Sequence, residues 1–144
     1  MGGARTWADW RRAYTPGMTP PLQKVTLADK FAQIPDFWNP RIVGEVGEEY
    51  VKLVRLQGVF EWHHHDTEDE LFLVVRGRLG MGLRDPEERE VLLDEGEFLI
   101  VPHGVTHRPR AVTDEAWVML IEPRTTLNTG NVRSDRTHER LERL

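Results

Sequence analysis

Trp62-His63-His64-His65-Asp66-Thr67-Glu68-Asp69-Glu70 is the stretch on which the reading of this chain turns. Side chains two apart on an extended segment share a face. A strand over residues 59–65 would therefore send Glu61, His63 and His65 one way and Trp62 and His64 the other. Two imidazoles one pleat apart can meet a single metal ion. Glu70 opens the next apolar run, residues 71–75, and can bring a carboxylate from a neighbouring direction. A second half lies downstream in Gly96, Pro102-His103-Gly104 and His107. Pro102 stiffens the turn that presents His107, which closes the set. Three imidazoles and one carboxylate leave about two positions free on an octahedral ion, open to water, dioxygen or a substrate oxygen. His64 and His103 are expected outside this set.

The surroundings have a period of two. Val51 and Leu53 alternate with polar neighbours, and Leu79, Met81 and Leu83 alternate with Gly80 and Gly82. Gly58, Gly77, Asp85-Pro86, Gly96, Gly104 and Thr113-Asp114 punctuate short segments. Eight or nine strands fit between residues 41 and 124, the rhythm of an antiparallel sandwich or barrel. Two capping boxes precede it. Thr6-Trp7-Ala8-Asp9 predicts a short helix through Tyr14 in an N-terminal arm, residues 1–25. Thr26-Leu27-Ala28-Asp29 predicts another within residues 26–40, with Leu27, Phe31 and Ile34 at helical spacing. Residues 125–144 read as an irregular tail whose charges, Arg133, Arg136, Arg140 and Arg143 against Asp135, Glu139 and Glu142, interleave as on a solvated surface. His138 is expected at that surface.

The chain has 144 residues, a formal charge of −5 and no cysteine. The length suits one domain with its own core. Without cysteine there are no disulfides, thiolate ligands or thiol nucleophile, so His, Asp and Glu are the ligand pool. A mildly acidic chain without a clustered basic face argues against nucleic acid as partner. No apolar run approaches the roughly 18 residues of a membrane span, and no secretory signal is evident. A cytoplasmic, non-membrane protein is the expectation.

Gly58, four residues, His63-x-His65, four, Glu70, six, Gly77 resembles the first cupin motif. Gly96, five residues, Pro102-x-Gly104, two, His107 resembles the second. The gap before His63 is four residues where the pattern has five, and Ala111 stands where the second motif ends in Asn. Residues 25–138, including Glu122-Pro123-x-x-Thr126-Leu127-Asn128-Thr129-Gly130-Asn131, are similar to small single-domain cupins described as mannose-6-phosphate-isomerase-like. The resemblance implies an all-β fold, a double-stranded β-helix or jelly-roll barrel, with short N-terminal helices and the irregular tail outside it. It implies His63, His65, Glu70 and His107 as metal ligands, for a divalent transition metal among Zn, Fe, Mn, Ni and Co, and a homodimer. Glu61 and Phe72 are candidates to line the pocket. No residue is assigned a catalytic role.

Three functions stay open. One is a metal-dependent enzyme, isomerase-like or dioxygenase-like, on a small oxygenated metabolite. Another is a non-catalytic module that binds a small molecule or the metal itself. The last is a structural barrel whose site is vacant or holds adventitious metal. The barrel hosts many chemistries and does not choose among them.

Overall fold

The computed structural model describes residues 22–144. In chain order they form a short helix, α1 (Leu27–Phe31), and the strands β1 (Arg41–Val46), β2 (Glu49–Leu56), β3 (Glu70–Arg76), β4 (Leu79–Arg84), β5 (Glu88–Leu93), β6 (Phe98–Val101), β7 (Thr106–Ala111) and β8 (Ala116–Pro123). All paired strands are antiparallel. They make a five-stranded sheet in the order β1-β2-β8-β3-β6 and a three-stranded sheet in the order β5-β4-β7. The all-β, two-sheet barrel expected from the sequence is the architecture found. The helix expected near Tyr14 lies outside the described residues.

Period-two patterning sets the layers. Along β8, Ala116, Val118, Leu120 and Glu122 are buried while the residues between them are half-buried. The inward set meets Leu79, Met81 and Leu83 of β4 across the core. The opposite face carries a second cluster of Phe31, Ile34, Val43 and Leu53, with Phe31 stacked on Trp117 at 4.8 Å. Burying a side chain such as Phe31 is worth about 1.5–3 kcal/mol, and this holds α1 over the five-stranded sheet. Thr26 has the extended dihedrals of a cap, but its hydroxyl makes no capping hydrogen bond. Thr26 and its neighbour Ala28 are exposed, so water can serve the free N–H groups there.

The segment 59–65 is not the continuous strand that simple alternation predicts. It touches β7 through two isolated bridges, Val59 with Arg110 and His63 with His107. Between these bridges the segment advances four residues while β7 advances three, which is a bulge. Pro109 lies at that point. It accepts from the Phe60 N–H at 3.0 Å but has no N–H to return. Beyond the bulge the backbone partners change at each residue. His63 and His107 exchange bonds of 3.0 and 2.8 Å, the His64 carbonyl accepts from Asn131 at 3.0 Å, and the His65 carbonyl accepts from Gly104 at 2.7 Å.

The tail is irregular, as expected, but it is not a loose solvated appendage. The Ile42 N–H donates to Glu142 at 2.9 Å and the Leu144 N–H to Ile42 at 3.0 Å, which lays the last residues beside β1. Thr129 is fully buried and His138 is half-buried. Among the described residues no helix is long and apolar enough to cross a membrane.

Candidate metal centre

His63, His65, Glu70 and His107 converge inside the barrel. One ligand atom from each lies within 4.8 Å of all the others, and all four residues are buried. His63 and His65 come from the bulged segment, Glu70 opens β3, and His107 sits on β7. The imidazoles are close-packed, with centroids 4.3 Å apart for His63 and His107 and 5.2 Å apart for His63 and His65. Such a cluster could hold a metal ion.

Two of the rings are oriented from behind. His63 Nδ1 lies 3.0 Å from the Glu61 carbonyl and His107 Nδ1 lies 2.9 Å from the Val105 carbonyl. A carbonyl only accepts, so each Nδ1 carries a proton, and in that tautomer of the imidazole the bare Nε2 faces inward. His107 Nε2 then stands 3.1 Å from Glu70 Oε1. His65 Nε2 is 3.4 Å from the same oxygen, buried and without a hydrogen-bond partner. Acceptors that face one another this closely require a cation between them, a proton or a metal ion.

The electrostatics agree. Burial, with His107 alongside, pushes the His63 imidazole down to about 4, so this ring is neutral near pH 7. Burial works against ionisation of Glu70, yet Glu122, His107 and His65 outweigh it and hold the carboxyl well below its usual range. Glu122 moves the other way. Burial and the neighbouring charge of Glu70 push it well above the usual range, against the pull of Lys52. Lys52 Nζ lies 2.7 Å from Glu122 Oε1, and both side chains are 1% exposed. The two buried carboxyls are thus pushed in opposite directions, with Lys52 behind Glu122.

A cavity of about 40 Å³ opens beside the cluster, bordered by His63, Glu70, Glu122 and Asn128 and by apolar walls that include Trp38, Phe60, Phe72 and Leu120. Phe72 lines it, edge-on to His107 with centroids 6.0 Å apart. Glu61 is not among the residues that border it. The bulge places Phe60 at the wall instead, and the Glu61 carboxylate lies 3.7 Å from Arg136. Glu61 serves the cluster through its carbonyl, not its side chain. Trp62 and His64 turn away from the cluster. Trp62 lies against Gly82 between the guanidinium groups of Arg84 and Arg108, at 4.0 and 4.7 Å, and His64 pairs with Asp66 at 3.0 Å. His103 is exposed and pairs with Asp69 at 2.8 Å.

Sequence reasoning missed Glu122, Lys52 and the Gly130–Asn131 clamp. The first two carry a legible signal, because Glu122 continues the inward set 116, 118, 120 and Lys52 continues 54 and 56. A charge in that phase must be paired inside the barrel. The clamp carries none, since Asn131 Oδ1 accepts from the His64 N–H at 2.8 Å across 67 residues of chain.

The cupin domain family model (Cupin_2) matches residues 52–121. A cupin-2 domain containing protein from Shewanella frigidimarina NCIMB 400 is 38% identical, with 69% of this chain and 94% of that one covered at a TM-score of 0.65. NMB1881 from Neisseria meningitidis is 31% identical, with 70% of this chain and 99% of that one covered at a TM-score of 0.63. The uncharacterized protein YdbB of Bacillus subtilis (strain 168) is 36% identical over 69 residues, 48% of this chain, and the match spans 59% of its own length. A two-sheet barrel, both histidine motifs and a relative matched over nearly its whole length place this chain in the cupin superfamily.

Proposed function

We propose that this chain is a metal-dependent cupin in which His63, His65, Glu70 and His107 hold a divalent transition metal and act with it on a small oxygenated molecule. The observation that carries this is the set of inward-facing acceptors, above all the orphaned Nε2 of His65 beside Glu70. The donor set suits zinc, iron, manganese, nickel or cobalt. When bound, such an ion supplies Lewis acidity toward a carbonyl or hydroxyl oxygen and, if it is iron, electrons for dioxygen chemistry.

The residues around it have separate tasks. The Glu61 and Val105 carbonyls fix two imidazoles in the ligating tautomer. Glu70 offsets one unit of metal charge. The apolar walls exclude water from the bound molecule. Glu122 borders the cavity beside Glu70, which places a polar group where it can meet a ligand hydroxyl. The mannose-6-phosphate-isomerase-like kinship we carry as a kinship of fold.

A cavity of only about 40 Å³ favours a second reading, a module that binds a very small ligand or the metal without turnover. Elemental analysis of untagged protein expressed without metal supplementation tests both. Stoichiometric metal is expected in the wild type and in His64→Ala, and its loss in His63→Ala and His107→Ala. Metal lost from His64→Ala but kept by His63→Ala would overturn the ligand assignment. Substoichiometric metal that mild chelation removes without loss of fold would favour the binding module.

A further inference from the structure

We propose that the cavity beside the cluster selects a small uncharged molecule, its oxygen-bearing end toward the cluster and a hydrocarbon end against Trp38 and Phe60, and that it excludes phosphorylated substrates. The oxygen-bearing end rests on the metal reading above. The hydrocarbon end rests on the walls alone.

The walls hold no cation for a phosphate. The residues that border the cavity include two carboxyl groups, of Glu70 and Glu122, and neither lysine nor arginine. The nearest ammonium, Lys52, lies behind Glu122 and is committed to it at 2.7 Å. Arg136 passes over the Trp38 and Phe60 rings at 5.4 and 5.6 Å. Its Nη1 already donates to the Val59 carbonyl at 2.9 Å and lies 3.7 Å from Glu61. The one cation such a ligand could meet is the metal itself, whose charge Glu70 already offsets in part; a phosphate dianion would lose its hydration there with no lysine or arginine to replace it.

The far wall is built for a hydrocarbon. Trp38 and Phe60 stack at 4.7 Å with planes 15° apart. Trp38 is held at φ +60°, a conformation that bulky residues seldom adopt and that clusters at ligand sites. The indole N–H secures it through a 2.8 Å bond to the Gln57 carbonyl. Size sets the limit. A cavity of about 40 Å³ suits a small molecule with a short hydrocarbon end.

Calorimetric titration of the zinc-loaded full chain tests the inference, zinc being chosen because it has no redox chemistry. The probes are hydroxyacetone, 1-hydroxy-2-butanone, 1-hydroxy-2-pentanone and hydroxyacetone phosphate. Each added methylene should tighten binding about fourfold until the cavity is full, and the phosphorylated probe should not bind. Phe60→Ala, titrated in the same zinc-loaded state, should move the length limit to longer ketones. Equal or tighter binding of the phosphorylated probe, affinity independent of chain length, or no binding by any ketone would each overturn the inference. Zinc content of the same sample separates the two readings. A chain that takes up no zinc refutes the metal centre, and the ketone series on metal-free protein still reads the walls. A zinc-loaded chain that prefers hydroxyacetone phosphate keeps the metal centre and refutes this inference.

Discussion

Replacing Gly130 with alanine is expected to cost about 3 kcal/mol and to loosen the cluster, whereas the same change at Gly47 should cost about 1 kcal/mol. Both residues have left-handed backbones, with φ +56° at Gly130 and +60° at Gly47. The conformational strain on alanine is therefore alike at the two positions, about 1 kcal/mol. Their surroundings differ. A Cβ at Gly47 would meet nothing within 4 Å, while one at Gly130 would stand 2.2 Å from the His64 carbonyl oxygen and 3.0 Å from His63 Cδ2. Relieving that overlap requires the turn and residues 63–64 to separate. The separation breaks the bonds between Asn131 and His64, at 3.0 and 2.8 Å, each worth about 1 kcal/mol. A ligand whose outer support shifts in this way typically loses about 10–100-fold in metal affinity. Urea unfolding of both variants, with metal affinity measured by competition against a chelator, checks the comparison. If Gly130→Ala matched Gly47→Ala in both measurements, the clamp would have no role in shaping the site.

Three further outcomes are expected. Folding lowers the His63 pKa from 6.5 to about 4, so the unfolded chain binds the extra proton between those values. Its contribution to the metal-free protein is thus complete above pH 6.5 and declines by about 3 kcal/mol as the pH falls to 4; an unchanged pH slope in His63→Gln would contradict this. Lys52→Met leaves the buried Glu122 without its cation and should cost about 3–5 kcal/mol in urea unfolding, much of it recovered in Lys52→Met/Glu122→Leu; a single variant as stable as the wild type would show that the pair is dispensable. Phe98 and Ile100, 59% and 51% exposed on β6 at the edge of the five-stranded sheet, suit a homodimer interface. Light scattering should return twice the chain mass, and a single-chain mass at working concentration would dismiss it.

Local patterning carried much of the fold. The alternation at 79, 81 and 83 is the inward face of β4, and the two histidine motifs are read directly from spacing. Alternation misplaced Glu61 because it assumes an unbroken pleat. Pro109, 46 residues after His63, leaves one ladder bond unmade, and the bulge facing it turns Phe60 inward. Thr26 marked where α1 begins, but its sequence could not show that an exposed helix start would leave the hydroxyl unused. The tail misled for a different reason. Its interleaved charges are those of a surface segment, yet backbone bonds to Ile42 and the burial of Thr129 depend on chain that is distant in sequence.

The position of β8 bears on how the site is made in the cell. Among the described strands it is the last to be synthesised, yet it lies between β2 and β3 in the middle of the larger sheet. A nascent chain that has emerged only through β7 holds all four cluster residues, but the facing edges of β2 and β3 are still unpaired and Asn131 has not yet been added. Long-range strand pairing of this kind completes late. The cluster is therefore expected to assemble after translation has passed residue 131, and an ion bound there would be drawn from the pool that surrounds the chain as folding finishes.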